Sequence, residues 1–129
     1  MQDVIICENI IITPLLRAQK AFEKALPMVS NDLERDGAIQ RFEFTYELLW
    51  KTLKKVLLFK GIEQNSPRGV FREAAKIGMI EDLDLWFDFL KNRNITVHIY
   101  KEEYAEIVFS ALPVFSRELR KVIAKLVLM

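Results

Sequence analysis

The segment DLERDGAIQRFEFTYELLWKTLKKVLLFK limits the fold more than any other part of the chain. It follows two capping candidates, Ser30 and Asn31, and runs to Gly61, a residue suited to close a helix in the left-handed conformation. Ile39, Phe42, Tyr46, Leu49, Leu53 and Val56 recur at helical spacing and form one apolar face. At ~1.5 Å per residue such a helix approaches ~40 Å, longer than a compact domain of this size needs for itself. Glu47 and Lys51 stand one turn apart in the favourable order, and Glu43 and Glu47 form an acidic pair on the same side. A solvated face accounts for these charges.

The rest of the chain has the same character. A first helix is expected over about Thr13 to Leu26, with Thr13 as cap, Pro14 in its first turn, and an inner stripe of Leu15, Leu16, Ala18, Phe22, Ala25 and Leu26. Ser66 and Pro67 open a third helix that buries Val70, Phe71, Ala74 and Ala75 and closes at Gly78. A fourth, roughly Glu81 to Lys91, buries Leu83, Trp86, Phe87 and Leu90. A fifth, from about Lys101 to Leu126, presents Ala105, Val108, Phe109, Leu112, Phe115, Leu119, Val122 and Ile123. Pro113 inside it removes one backbone donor and should kink it. Val4 to Ile12 reads either as a short strand or as an extension lying on a partner. The expectation is an all-α, antiparallel up-and-down bundle of four to five helices, built as one domain over residues 1–129.

Composition bounds what such a bundle can do. With 51% hydrophobic residues, 4 Gly and 4 Pro, the chain lies far from the disordered range. Its mean hydropathy of +0.10 is high for a small soluble monomer and points to a covered interface. Cys7 has no second cysteine to pair with, and one thiol with one histidine makes no structural zinc site. MQDVIICENIII carries no basic leader and is interrupted by Asp3 and Glu8, so neither a signal peptide nor a membrane span is expected, and the cytoplasm is the default location. Net charge is +1, so binding to a polyanion must rest on a local site.

One stretch offers a reactive constellation: Arg93-Asn94-Ile95-Thr96-Val97-His98-Ile99-Tyr100. On a continuous helix Arg93 and His98 would stand about 140° apart. Asn94 suits a left-handed helix end, and three successive β-branched residues disfavour helix. The chain is therefore expected to break here and turn both side chains toward one cleft, with Tyr100 on the side of His98 if the following stretch is extended. A guanidinium binds phosphate oxygens and stabilises developing charge, and an imidazole moves protons near neutral pH. No metal or cofactor is implied. Each residue also has a bland reading: Arg93 paired with Asp88, His98 satisfying a backbone group, Tyr100 as an amphipathic core residue.

The neighbouring words favour the site. DGAIQRFEFTYELLWKTLKKVLLFKG, SPRGVFREAAKIGMI and LWFDFLKNRNITVHIY resemble, in unbroken order from about Asp36 to Pro113, the nucleotidyltransferase substrate-binding branch of the HEPN superfamily. The resemblance implies a helical bundle that forms a homodimer and is encoded near a small MNT-type nucleotidyltransferase. Arg93, Asn94 and His98 match the HEPN signature of arginine, a polar residue and a histidine after four to six positions. It implies Arg93 and His98 as catalytic residues of a metal-independent ribonuclease, with protomers sharing the site and Asn94 supporting it. Tyr100 completes the extended form, and in related toxin–antitoxin pairs the equivalent tyrosine is the adenylylation target. Lys101 stands where a capping Asp or Ser would be expected, a departure that touches helix start and not the signature.

Three functions then compete: a ribonuclease toxin silenced by its transferase, a non-catalytic subunit that presents RNA or a nucleotide to that transferase, and a structural helical protein. The complete Arg93, His98 and Tyr100 set favours the first; the near-neutral charge leans toward the second.

Overall fold

A computed structural model describes residues 2–129. Its elements are a hairpin of β1 (Ile5–Ile6) and β2 (Ile10–Ile11), then α1 (Thr13–Ala25), α2 (Asp32–Phe59), α3 (Pro67–Lys76), α4 (Leu83–Ile95) and α5 (Glu102–Leu126). Short 3-10 turns at Leu26–Met28 and Thr96–His98 follow α1 and α4. The five helices make the expected all-α antiparallel bundle. Among the described residues no helix is long and apolar enough to cross a membrane.

Local chemistry explains most of the boundaries. Asn31 Oδ1 accepts the Glu34 N–H at 2.8 Å, while Glu34 reaches back to the Ser30 N–H at 2.9 Å, a reciprocal cap at the start of α2. Ser66 caps α3 by accepting the Gly69 N–H at 3.2 Å, and Gly61 and Gly78 end α2 and α3 at φ 85° and 80°. Thr13 does not cap α1. It lies inside the helix, Ile12 holds the cap position, and Thr13 Oγ1 accepts the Val4 N–H at 2.8 Å. The hydroxyl thus ties the hairpin to α1.

The ambiguous segment before α1 is that hairpin, with Ile5 opposite Ile11 and Ile6 opposite Ile10. Alternation buries Ile6, Ile10 and Ile12 and exposes Ile5 and Ile11. Cys7 and Glu8 turn the chain at φ 47° and 72°, left-handed values that cost non-glycine residues about 1–2 kcal/mol each. Cys7 is buried, as expected of a small apolar residue, and its N–H donates to the Met129 carbonyl at 3.4 Å.

The core is one cluster to which all five helices contribute. Every face residue named on α2 is buried. Phe115 on α5 is the hub: its ring lies 5.6 Å from Phe22, 4.8 Å from Phe42, 5.9 Å from Trp86 and 5.2 Å from Phe89, all edge-on. On α4 the buried residues are Trp86 and Phe89, whereas Leu83, Phe87 and Leu90 are half-buried, so the inner face is rotated from the expected one. Phe109 is likewise only half-buried on α5, which runs through Pro113 to Leu126 with the proline on its exposed side.

Candidate functional site

The expected break falls inside the segment but two residues beyond Arg93, and as a tight turn rather than an extended stretch. Asn94 is helical, α4 continues to Ile95, and a 3-10 turn carries the chain through His98. Thr96 overrides the β-branched preference. It is buried, and its hydroxyl donates to the Arg93 carbonyl at 2.7 Å, a second bond to a helix-end acceptor that also takes the Thr96 N–H. Ile95 packs against the core beside it. Local side-chain bonding and burial together outweigh intrinsic propensity.

Because this path stays helical, Arg93 and His98 face different neighbours. Arg93 is directed at α2. Its Nε lies 3.4 Å from Glu47 Oε1, an ion-pair distance without hydrogen-bond alignment, and its Nη1 donates to Thr96 Oγ1 at 3.4 Å. Glu47 is itself a junction, since its Oε2 accepts from Trp50 Nε1 at 3.2 Å and lies 3.7 Å from Lys51 Nζ. Arg93, Glu47, Glu43, Phe44, Leu48 and Ala18 line an open cleft of about 570 Å³. The partner of Arg93 is therefore Glu47 rather than Asp88. The Glu43–Glu47 pair was legible in the sequence, but nothing local said that it meets a guanidinium presented by α4.

Next to that cleft, Tyr46 is buried with its hydroxyl unpartnered. Burial pushes this phenol well above its ordinary pKa, the Glu47 charge pushes further, and Arg93 opposes both. Tyr46 is thus a neutral phenol at physiological pH.

His98 lies against the start of α5. Its ring lies 6.0 Å from that of Tyr100 and 6.3 Å from that of Tyr104, and Tyr100 Oη stands 3.5 Å from His98 Nδ1. That separation is at the outer limit of a hydrogen bond. Tyr100 is 76% exposed, so it is no core residue, and His98 and Asn94 are exposed as well. The expected proximity of His98 and Tyr100 is present, produced by a tight turn rather than an extended strand: the Lys101 N–H donates to the His98 carbonyl at 3.0 Å. Lys101 begins α5 without a side-chain cap.

A further residue, not singled out from sequence, governs this turn. Arg35 on α2 is only 6% exposed, and its guanidinium donates to Glu102 at 2.6 Å and Glu106 at 2.9 Å on α5, and to Asp36 at 3.1 Å. Its pKa is raised above even the ordinary arginine value, chiefly by the hydrogen bond to Glu102. Arg35 thereby holds the first two turns of α5 against α2, immediately beyond His98 and Tyr100. Within one chain Arg93 and His98 are two half-sites, joined by no hydrogen bond or ion pair among the described residues.

Known proteins share this framework. A Thermus thermophilus protein superposes with a TM-score of 0.82 at 34% identity, covering 87% of this chain and 98% of that one. A Haemophilus influenzae structure, described as revealing the fold of a substrate binding domain of a nucleotidyltransferase, superposes with a TM-score of 0.78 at 29% identity, over 87% of this chain and 96% of the other. A Haemophilus influenzae protein named "Probable ribonuclease HepT" is 35% identical over 94 residues, 69% of this chain and 64% of that protein's length. The chain thus spans less than two thirds of that relative. The family model described as "Nucleotidyltransferase substrate binding protein like" matches residues 12–127. With that match and this helical framework, the chain belongs to the nucleotidyltransferase substrate-binding protein family of the HEPN type.

Proposed function

We propose that this protein is a metal-independent ribonuclease of the toxin type, silenced by an MNT-type nucleotidyltransferase that adenylylates Tyr100. The observation that carries the reading is the exposed His98 imidazole, 3.5 Å from the Tyr100 hydroxyl, in a chain that presents Arg93 five residues earlier beside Glu47 in an open cleft. Two half-sites on one protomer suit a C2 homodimer, in which Arg93 and His98 of both copies converge on one RNA phosphate. His98 then removes the proton of a ribose 2′-hydroxyl, whose oxygen attacks the adjacent phosphorus. The bond from phosphorus to the 5′-oxygen breaks, and the second copy's imidazolium returns a proton to that leaving oxygen. Arg93 stabilises the charge that builds on the phosphoryl oxygens, Glu47 orients the guanidinium, and Asn94 supports the phosphate side. A nucleotide-presenting, non-catalytic role is the second reading, favoured by the net charge of only +1.

The test is cleavage of a single-stranded RNA by purified protein in excess chelator. His98→Ala and Arg93→Ala are each expected to lower the rate by about 10²- to 10⁴-fold while the melting temperature stays near that of the wild type. Equal cleavage by wild type and His98→Ala would end the ribonuclease reading, as would no cleavage by either.

A further inference from the structure

Two clusters of aromatic rings stand out, while Phe44, Trp50, Phe59, Phe87 and Phe109 are exposed or half-buried and belong to neither. Phe22, Phe42, Tyr46, Phe71, Trp86, Phe89 and Phe115 form the buried core. His98, Tyr100 and Tyr104 form a separate cluster at the surface, with the imidazole between the two phenol rings at interplanar angles of 73° and 48°. The two tyrosines differ in their support. Tyr100 sits on the turn, largely in solvent, whereas half-buried Tyr104 belongs to the first turn of α5, where its N–H donates to the Lys101 carbonyl at 3.1 Å. Arg35 braces that same turn through Glu102 and Glu106. A half-exposed ring held on a braced helix is a preorganised flat surface.

The charge beside it is also informative. Lys101 Nζ lies over the Tyr104 ring, 5.6 Å from its centre, so a base stacking on that face displaces the ammonium toward the phosphate, and no carboxylate pairs with it among the described residues. Glu102 and Glu106, the acids that would oppose an anion here, are engaged by Arg35, and Glu103 remains exposed. An aromatic face with an unpaired ammonium next to it matches a base followed by its phosphate. The base must be unpaired, because in a duplex both faces are already stacked.

We propose that Tyr104 and Lys101 form a stacking site for one unpaired base and its phosphate, which places single-stranded RNA, and not duplex, against His98. The proposal rests on the ribonuclease reading for its substrate, and its binding readout is independent of cleavage. Tyr104 acts as a positioning residue: it seats the nucleotide whose 2′-hydroxyl His98 addresses. Selectivity among bases is weak, since every base offers a π face.

The experiment is fluorescence anisotropy with the full chain and a short 2′-O-methyl single-stranded oligoribonucleotide, which a 2′-hydroxyl-dependent nuclease cannot cut. Tyr104→Leu is expected to weaken binding about 5- to 150-fold, and Tyr104→Phe to stay within about twofold of wild type. Lys101→Met should lower the salt dependence by about one phosphate contact and keeps the idea testable if Tyr104→Leu folds poorly. His98 is the sole histidine, so its imidazole resonances report directly whether bound oligonucleotide reaches the cluster. Wild-type affinity in a well-folded Tyr104→Leu, an unchanged salt slope in Lys101→Met, equal affinity for the matching duplex, or no binding by wild type at low salt would overturn the site. RNA cleavage that persists unaltered in Tyr104→Leu removes the stacking site and leaves the ribonuclease intact. Graded binding across these variants without any cleavage does the reverse.

Discussion

Replacing Phe115 by alanine removes the ring that joins α4 to α5, the two helices between which His98 is suspended. The side chain is fully buried and meets four other aromatic rings at 4.8 to 5.9 Å from three different helices. A buried Phe→Ala change costs about 3–5 kcal/mol, the sum of lost transfer energy and the cavity left behind. Phe115 should lie near the top of that range, because its neighbours Phe22, Phe42 and the α4 pair Trp86 and Phe89 sit on three helices that cannot all close on the void. Phe115→Leu keeps much of the volume and forfeits the edge-to-face contacts, for an expected loss of about 1–2 kcal/mol. Half-buried Phe109 on the same helix is the control, with Phe109→Ala expected to cost less than about 2 kcal/mol. Urea unfolding at one fixed protein concentration measures all three. The His98 resonances should broaden in Phe115→Ala as α4 and α5 loosen. A Phe115→Ala penalty no larger than that of Phe109→Ala, at an unchanged m-value, would refute the hub.

Acid stability should depend on Arg35. Its hydrogen bond is the main cause that holds the Glu102 pKa below 4.5, so this carboxylate contributes stability that is present above about pH 4.5 and lost as pH falls through the lowered folded value. Burial raises the pKa of Glu118, but Arg117 and Lys121 outweigh it and hold the net value low, so an Arg35→Met variant should flatten part of the acid limb of a melting-temperature profile and leave the Glu118 part. An acid limb identical to wild type would count against the clamp. Gly61→Ala should cost about 1–2 kcal/mol by chemical denaturation although no atom lies within 4 Å of the added carbon, because φ is +85° there; a neutral result would show that the turn re-forms. For regulation, if the proposed ribonuclease reading holds, intact mass after co-expression with an MNT-type transferase should show adenylate added to wild type and none to Tyr100→Phe, and that variant should cleave RNA at close to the wild-type rate. A mass shift that survives in Tyr100→Phe would remove this residue from the mechanism.

Five helices, their caps at Asn31 and Ser66, their ends at Gly61 and Gly78, and the α2 core face were legible in the chain, because each depends on residues within a turn or two of one another. The candidate set of Arg93, Asn94, His98 and Tyr100 came from the family resemblance, since the spacing alone does not single it out. The conformation between them was not legible in the chain. Asn94 and the β-branched run disfavour helix locally, yet a single hydroxyl, Thr96 to the Arg93 carbonyl at 2.7 Å, together with burial of Thr96 and packing of Ile95, extends α4. Burial is a tertiary property and carries no local signature. The partners of the site are long-range for the same reason: Glu47 reaches Arg93 from α2, and Arg35 reaches Glu102 and Glu106 from the same helix. Read in sequence, Glu47 was a charge on a solvated face, and Arg35 was not singled out at all. Only the antiparallel packing of α2 against its neighbours decides that one orients a guanidinium and the other braces the turn that carries His98.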